Sequence, residues 1–122
     1  MPQFKPAGRP DIIPRIITTE VAELVAFVQH VFGAQGARKA NAPTELRLGA
    51  SIIMISDGGG VREPMPCFLH VYVDDCDVRT ARALAVGATH IEPPEDMPWG
   101  DRRATVRDRW GNLWQIATTM RR

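Results

Sequence analysis

Three histidines, two cysteines and fourteen carboxylates carry most of the reactive chemistry of this 122-residue chain. Their spacing excludes several kinds of site. Cys67 and Cys76 are too few and too far apart for a metal knuckle and read as free thiols. No serine or cysteine lies on a nucleophile-elbow pattern. Asp57-Gly58-Gly59-Gly60 lacks the Lys-Ser/Thr and helix that would make a phosphate-binding loop. Asp74, Asp75 and Asp77 suit a helix start, where carboxylates meet unpaired backbone N–H groups, and Glu95 and Asp96 fall in a loop, so no carboxylate stands out as a general base. His30 lies off an apolar helical stripe and His90 beside an exposed loop, which leaves both solvated. His70 differs. It sits inside an alternating strand, Cys67-Phe68-Leu69-His70-Val71-Tyr72-Val73, where it shares one face with Phe68 and Tyr72.

The elements that must hold these residues follow from hydrophobic periodicity and breakers. Residues 1–10 carry Pro2, Pro6, Gly8 and Pro10 and predict an irregular leader. Ile12 to Ile17 is β-branched and predicts a strand, with a free edge at Pro14, which has no N–H to donate. Val21, Leu24, Val25, Val28, Val31 and Phe32 recur at helical spacing, predicting a helix over 20–32 that stops at Gly33. Strands are expected at 35–40, 44–48 and 51–56, with a Gly49-Ala50 hairpin and a flexible linker opening at 57–60. A second cycle repeats the order: the strand at 67–73, a helix capped by Asp74 or Asp75 and ended by Gly87, a short strand at 88–92, a long loop over 93–100, and strands at 103–107 and 113–118. Glu20 to Gly33 and Asp74 to Gly87 span the same distance, and Gly49 and Gly111 occupy similar turns. The expected fold class is α+β, built from paired βαβββ modules at 11–60 and 61–122 whose sheets curve, with helices on the convex side.

The bulk numbers are those of an ordinary globular chain, 44% hydrophobic and 24% charged. The net charge of +1 and the scattered arginines give no footprint for nucleic acid or an anionic membrane. No signal-peptide or membrane-length apolar run is present, so a cytoplasmic location is the default expectation.

Several stretches make the chain resemble the glyoxalase/bleomycin-resistance/dioxygenase (vicinal oxygen chelate) superfamily over residues 11–119. They are Phe27-Val28-Gln29-His30-Val31-Phe32-Gly33-Ala34, Leu46 to Met54, Val71-Tyr72-Val73-Asp74-Asp75, Trp99-Gly100-Asp101-Arg102, and Val106 to Trp114, which contains an Asp-x-x-Gly turn. The resemblance implies a homodimer with two ligand cups. It also implies positions where relatives bind a divalent ion through His, Glu or Gln. Those positions fall on Ile13, Met54 (or Ile53), Phe68 and Gln115, of which only Gln115 resembles the usual donors. His70 lies two residues beyond Phe68 on the same face. With Gln115 it makes two donors, fewer than the three a zinc or iron site needs. The expectation is therefore no metal and no cofactor.

Strand alternation predicts the lining of the cup: Arg15, Met54, Phe68, His70, Tyr72 and Gln115, apolar with a few polar points. Trp99, in the proline-rich loop, could stack on a planar ligand at the rim or plug the sheet edge or dimer interface, and Trp110 is a second such aromatic. Arg102 could meet a ligand carboxylate or a partner's acid, or pair with Asp101 or Asp108. The favoured function is metal-independent binding of a small organic ligand, such as an antibiotic or aromatic metabolite, by a homodimer without nucleic-acid or membrane partners. Whether the chain is also an enzyme stays open. The alternatives are a divalent-metal lyase, isomerase or dioxygenase, and a regulatory module whose cup its own side chains fill.

Overall fold

The computed structural model describes residues 3–120, so positions 1–2 of the expected leader and 121–122 of the expected second module lie outside the described residues. The elements are β1 (Arg15–Ile17), α1 (Val21–Phe32), β2 (Thr44–Leu48), β3 (Ser51–Ser56), a 3-10 turn (Gly58–Gly60), β4 (Phe68–Tyr72), α2 (Cys76–Ala85), β5 (Thr89–Asp96), β6 (Asp101–Arg107) and β7 (Leu113–Thr119). They form two sheets, ordered β1-β3-β2 and β4-β7-β6-β5. β1 runs parallel to β3 and β4 parallel to β7, and all other pairs are antiparallel. The fold is α+β, two related sheet-and-helix modules in one chain.

α1 uses its apolar stripe as expected, but α2 does not: the stripe expected at Val78, Ala81, Leu84 and Ala85 is largely exposed, and the helix is rotated to bury Cys76, Thr80 and Ala83 instead. α1 buries Leu24, Val25, Phe27, Val28, Val31 and Phe32, and Gly33 closes it in the left-handed conformation that a side chain would resist. Glu20 precedes α1 but its side chain makes no capping bond. At α2, Asp75 caps, accepting the Val78 N–H at 3.1 Å. Asp75→Ala is expected to cost about 1 kcal/mol, the usual value of an N-cap side chain, seen as a lower urea midpoint with an unchanged m-value.

Three further expectations need correction. The strand predicted at 35–40 shrinks to a single bridge, Gln35 to Arg47. Gly36 there has φ 144°, and a Cβ on it would lie 2.4 Å from the Glu45 carbonyl oxygen. The chain grazes β2 and then leaves it. The strand predicted at 12–17 begins only at Arg15. The first half of the loop predicted at 93–100 is strand: β5 continues through Pro93 and Pro94 to Asp96, with register shifts against β6, and only 97–100 turns. The prolines are tolerated because β5 is an edge strand and its outer side needs no donors.

One core serves both modules. Trp114 of β7 is fully buried, with its ring 5.1 Å from Phe32 and 6.5 Å from Phe27 of α1. Ile16, Ile55, Val106 and Ile116 pack in the same cluster. A buried polar knot fixes the turn before β7. Asp108 accepts the backbone N–H groups of Trp110 (3.0 Å) and Asn112 (2.9 Å), the Asn112 amide (2.9 Å) and the Trp114 indole N–H (2.8 Å). Asn112 Oδ1 in turn accepts the Cys67 N–H at 2.9 Å. This knot sets how the start of β4 meets β7, and so sets the register of the second sheet.

Candidate functional site

The open face of the second sheet carries the candidate site. With Trp114, Ile116, Ala104 and Val106 turned toward the helices, alternation sends Phe68, His70, Tyr72, Gln115, Thr105 and Arg103 to the other side. Register aligns four of the polar residues in one row across all four strands. His70 lies opposite Gln115, Gln115 opposite Thr105, and Thr105 opposite Glu92. The row is hydrogen-bonded at both ends. His70 Nδ1 lies 3.0 Å from Gln115 Oε1, and Thr105 Oγ1 donates to Glu92 Oε1 at 2.6 Å. With Nδ1–H donating to Gln115, Nε2 of His70 keeps a lone pair for a ligand.

Aromatic surface flanks this row. Phe68 is 60% exposed and Tyr72 62%, a large aromatic surface left open at the two ends of the edge strand β4. The Tyr72 ring stands edge-on to His70 at 5.0 Å, and its hydroxyl donates to Asp101 Oδ2 at 2.9 Å. Trp99 sits in the β5–β6 turn with the Arg103 guanidinium 5.2 Å from its ring, which puts it at the rim of the same face. Arg103 also pairs with Glu92 at 3.6 Å, while its Nε is buried without a hydrogen-bond partner. Such a donor is a cost that a ligand acceptor would relieve.

Arg102 and Trp110 lie elsewhere. Arg102 alternates onto the helix side of β6 and pairs with Asp77 (3.1 Å) and Asp96 (2.9 Å), not with Asp101 or Asp108. Hydrogen bonds from both carboxylates raise its pKa further. Trp110 packs edge-on to Phe27 at 5.9 Å and donates to Glu20 at 2.8 Å, fastening the β6–β7 turn to the start of α1. Neither cysteine is an activated nucleophile, since burial raises both thiol pKa values.

Arg15 and Met54 belong to the first sheet, where they face each other across β1 and β3. Each module starts its helix four residues after the end of its first strand, so Arg15 matches His70 and Met54 matches Gln115. The same spacing pairs Ile13 with Phe68, the positions the resemblance implied, and neither is a donor; two residues further on stand Arg15 and His70, beside Met54 and Gln115. A divalent ion does not fit this set. Arg15 brings a positive charge and Met54 a soft thioether, leaving His70 and Gln115 as the only suitable donors. Among the described residues no group of three or more His, Cys, Asp or Glu could hold a metal.

A cleft of about 630 Å³ opens beside this face, along the free edge of β4. Ile12, Pro14, Leu48 and Ile52 wall it on one side, and His70 and Tyr72 border it on the other. Of the predicted site residues only these two reach it. The sequence pattern missed the cleft because it depends on which strand lies at the sheet edge, and periodicity does not report that.

The architecture now has its counterparts. The sequence model of the glyoxalase-like domain matches residues 13–117. The chain belongs to the glyoxalase-like domain family. This glyoxalase-like chain is 28% identical to an uncharacterised protein of Mycobacterium bovis, over 92% of its own length and 85% of the relative's. A Mycobacterium tuberculosis relative is equally similar, with 76% of its length covered. Among solved structures it is similar to TioX from Micromonospora sp. ML1, with TM-score 0.74, 26% identity, and coverage of 90% of this chain and 98% of TioX. A glyoxalase/bleomycin resistance protein/dioxygenase family enzyme from Burkholderia phytofirmans shares the fold, with TM-score 0.71, 22% identity, and coverage of 86% and 94%. Among the described residues no helix is long and apolar enough to cross a membrane.

Proposed function

We propose that this glyoxalase-like chain is a homodimeric, metal-independent binding protein that holds a small planar organic molecule, an antibiotic or aromatic metabolite, against the open face of its second sheet. The observation that carries the reading is the hydrogen-bonded row from His70 to Glu92 set between the exposed rings of Phe68 and Tyr72. Aromatic flanks give area and stacking, and a few fixed polar groups give orientation, the usual division of labour in a small-molecule site. Dimerisation is supported by the unpaired edge of β4, which a second copy would extend. A cytoplasmic setting agrees with two unpaired thiols.

The test is a fluorescence titration with planar aromatic compounds, including bleomycin, together with light scattering. Saturable quenching at one ligand per chain and a mass of twice 13.5 kDa are expected. His70→Ala should weaken binding about tenfold or more, the effect of losing one oriented polar contact of about 1.4 kcal/mol. Binding by none of the compounds would sink the reading.

His70 opposite Gln115 is the one observation that favours a divalent-metal lyase, isomerase or dioxygenase instead. That reading requires stoichiometric metal in the purified protein and activity lost to a chelator. The expected result is less than one tenth of an equivalent of metal, since two donors hold such an ion poorly.

A further inference from the structure

A second cavity lies at the far end of the first sheet, away from the aromatic face, and nothing in the reading above uses it. It has a volume of about 320 Å³, at the small end of ligand sites. Arg15, Arg38 and Lys39 line it together with Asn41, Ser56 and Asp57. Three cations therefore converge on one small space with a single carboxylate.

Arg9, Arg79, Arg102, Arg103 and Arg109 all sit within ion-pair distance of a carboxylate. Among the described residues Arg15, Arg38 and Lys39 share their lack of an ion pair with Arg47, Arg62, Arg82 and Arg107; what sets them apart is that they line one cavity. Asp57 is not within ion-pair distance of any of them, and its Oδ1 caps the following turn by accepting the Gly59 N–H at 2.9 Å. One cationic side chain is held in place, and the backbone of a second is fixed. Arg15 Nε donates to Ser56 Oγ at 3.0 Å, and the Lys39 backbone N–H donates to Oγ1 of the fully buried Thr44 at 3.0 Å. Like charges brought together and anchored repel one another, and an anion between them reverses the sign of that interaction.

We propose that this cavity binds a small oxyanion, a phosphate or carboxylate group, with Arg15, Arg38 and Lys39 as its cationic walls and Asn41 and Ser56 as neutral partners. Arg15 is the pivotal residue. It stands at the first-sheet position that matches His70, so this module offers a guanidinium where the other offers an imidazole. A planar guanidinium fork matches two oxygens of either anion. The site does not depend on the aromatic face, and it survives if that face binds nothing.

The experiment uses the whole chain, isotope-labelled, at low ionic strength. Sodium phosphate, sodium acetate and sodium chloride are titrated separately at matched ionic strength while amide resonances are followed. Saturable shifts confined to residues 38–41 and 55–59 and to Arg15 are expected with phosphate or acetate at millimolar concentration. The tighter of the two identifies the anion class. Arg15→Gln combined with Lys39→Gln should weaken binding at least tenfold, with resonances of the second sheet unmoved. Arg38→Gln alone, a change on the exposed surface, should weaken it about threefold and guards against misfolding of the double variant. Equal shifts in chloride, no saturation with either oxyanion, or affinity unchanged in these variants would overturn the proposal.

Discussion

Asp108→Ala is expected to destabilise the protein by about 4 kcal/mol, among the largest effects a single substitution can have here. The carboxylate is buried and takes four hydrogen bonds, two from backbone N–H groups, one from the Asn112 amide and one from the Trp114 indole. Truncation removes charge-assisted bonds worth about 1.5–3 kcal/mol each before non-additivity. It also strands donors in a space without water. Asp108→Asn separates the two contributions. It keeps one acceptor oxygen but turns an N–H₂ toward another donor, so about half the loss remains. Urea denaturation of the three proteins measures this. A loss below 1 kcal/mol for the alanine variant would mean that the turn holds its shape without its carboxylate. The same knot bonds to the first residues leading into β4, so the surviving folded protein should also show disturbed His70 and Gln115 resonances.

Trp114→Ala should cost a similar amount, about 3–5 kcal/mol, the range for removing a buried aromatic. Its distinctive consequence concerns cooperativity. Trp114 belongs to the second sheet, yet its ring packs on Phe27 and Phe32 of α1 in the first module. Removing it opens a cavity at the seam between the modules and leaves Asp108 with one donor fewer. Unfolding followed by Trp99 and Trp110 fluorescence and by circular dichroism should then cease to coincide, the mark of departure from two-state behaviour. Trp114→Phe keeps most of the packing and should restore coincidence while losing only the indole hydrogen bond, about 1–2 kcal/mol. Coincident transitions in the alanine variant would show that the seam does not rely on this ring.

Much of the scaffold was legible from periodicity and breakers. α1 follows from its six-residue apolar stripe and Gly33, and β3, β4 and β7 from alternation. The assignment of Phe68, His70 and Tyr72 to one face and of Trp114 to the other needed only a period of two. What failed was whatever depends on neighbours. The segment at 35–40, Gln-Gly-Ala-Arg-Lys-Ala, has no β-branched or aromatic residue and no partner beyond Gln35, where Gly36 passes close to the Glu45 carbonyl. Pro93 and Pro94 read as breakers, whereas an edge position makes them harmless. Arg102 and Trp110 carried suggestive motifs, yet of the partners that occupy them Asp77, Glu20 and Phe27 are distant in sequence, and Asp96 is reached only across the β5–β6 turn. The row from His70 to Glu92 was equally hidden. Each member sits on a different strand, and only the register brings them into line.

The paired prolines in β5 also limit how copies of the molecule can join. On one rim of the four-stranded sheet the proline pair deletes a donor in mid-strand and hinders strand addition there, while the opposite rim, β4, carries no proline and can accept it. A four-stranded sheet with one receptive rim and one obstructed rim is hindered from polymerising end to end. Joined receptive rim to receptive rim, two such sheets leave only obstructed rims facing outward, which hinders a β-rich protein from growing into fibres.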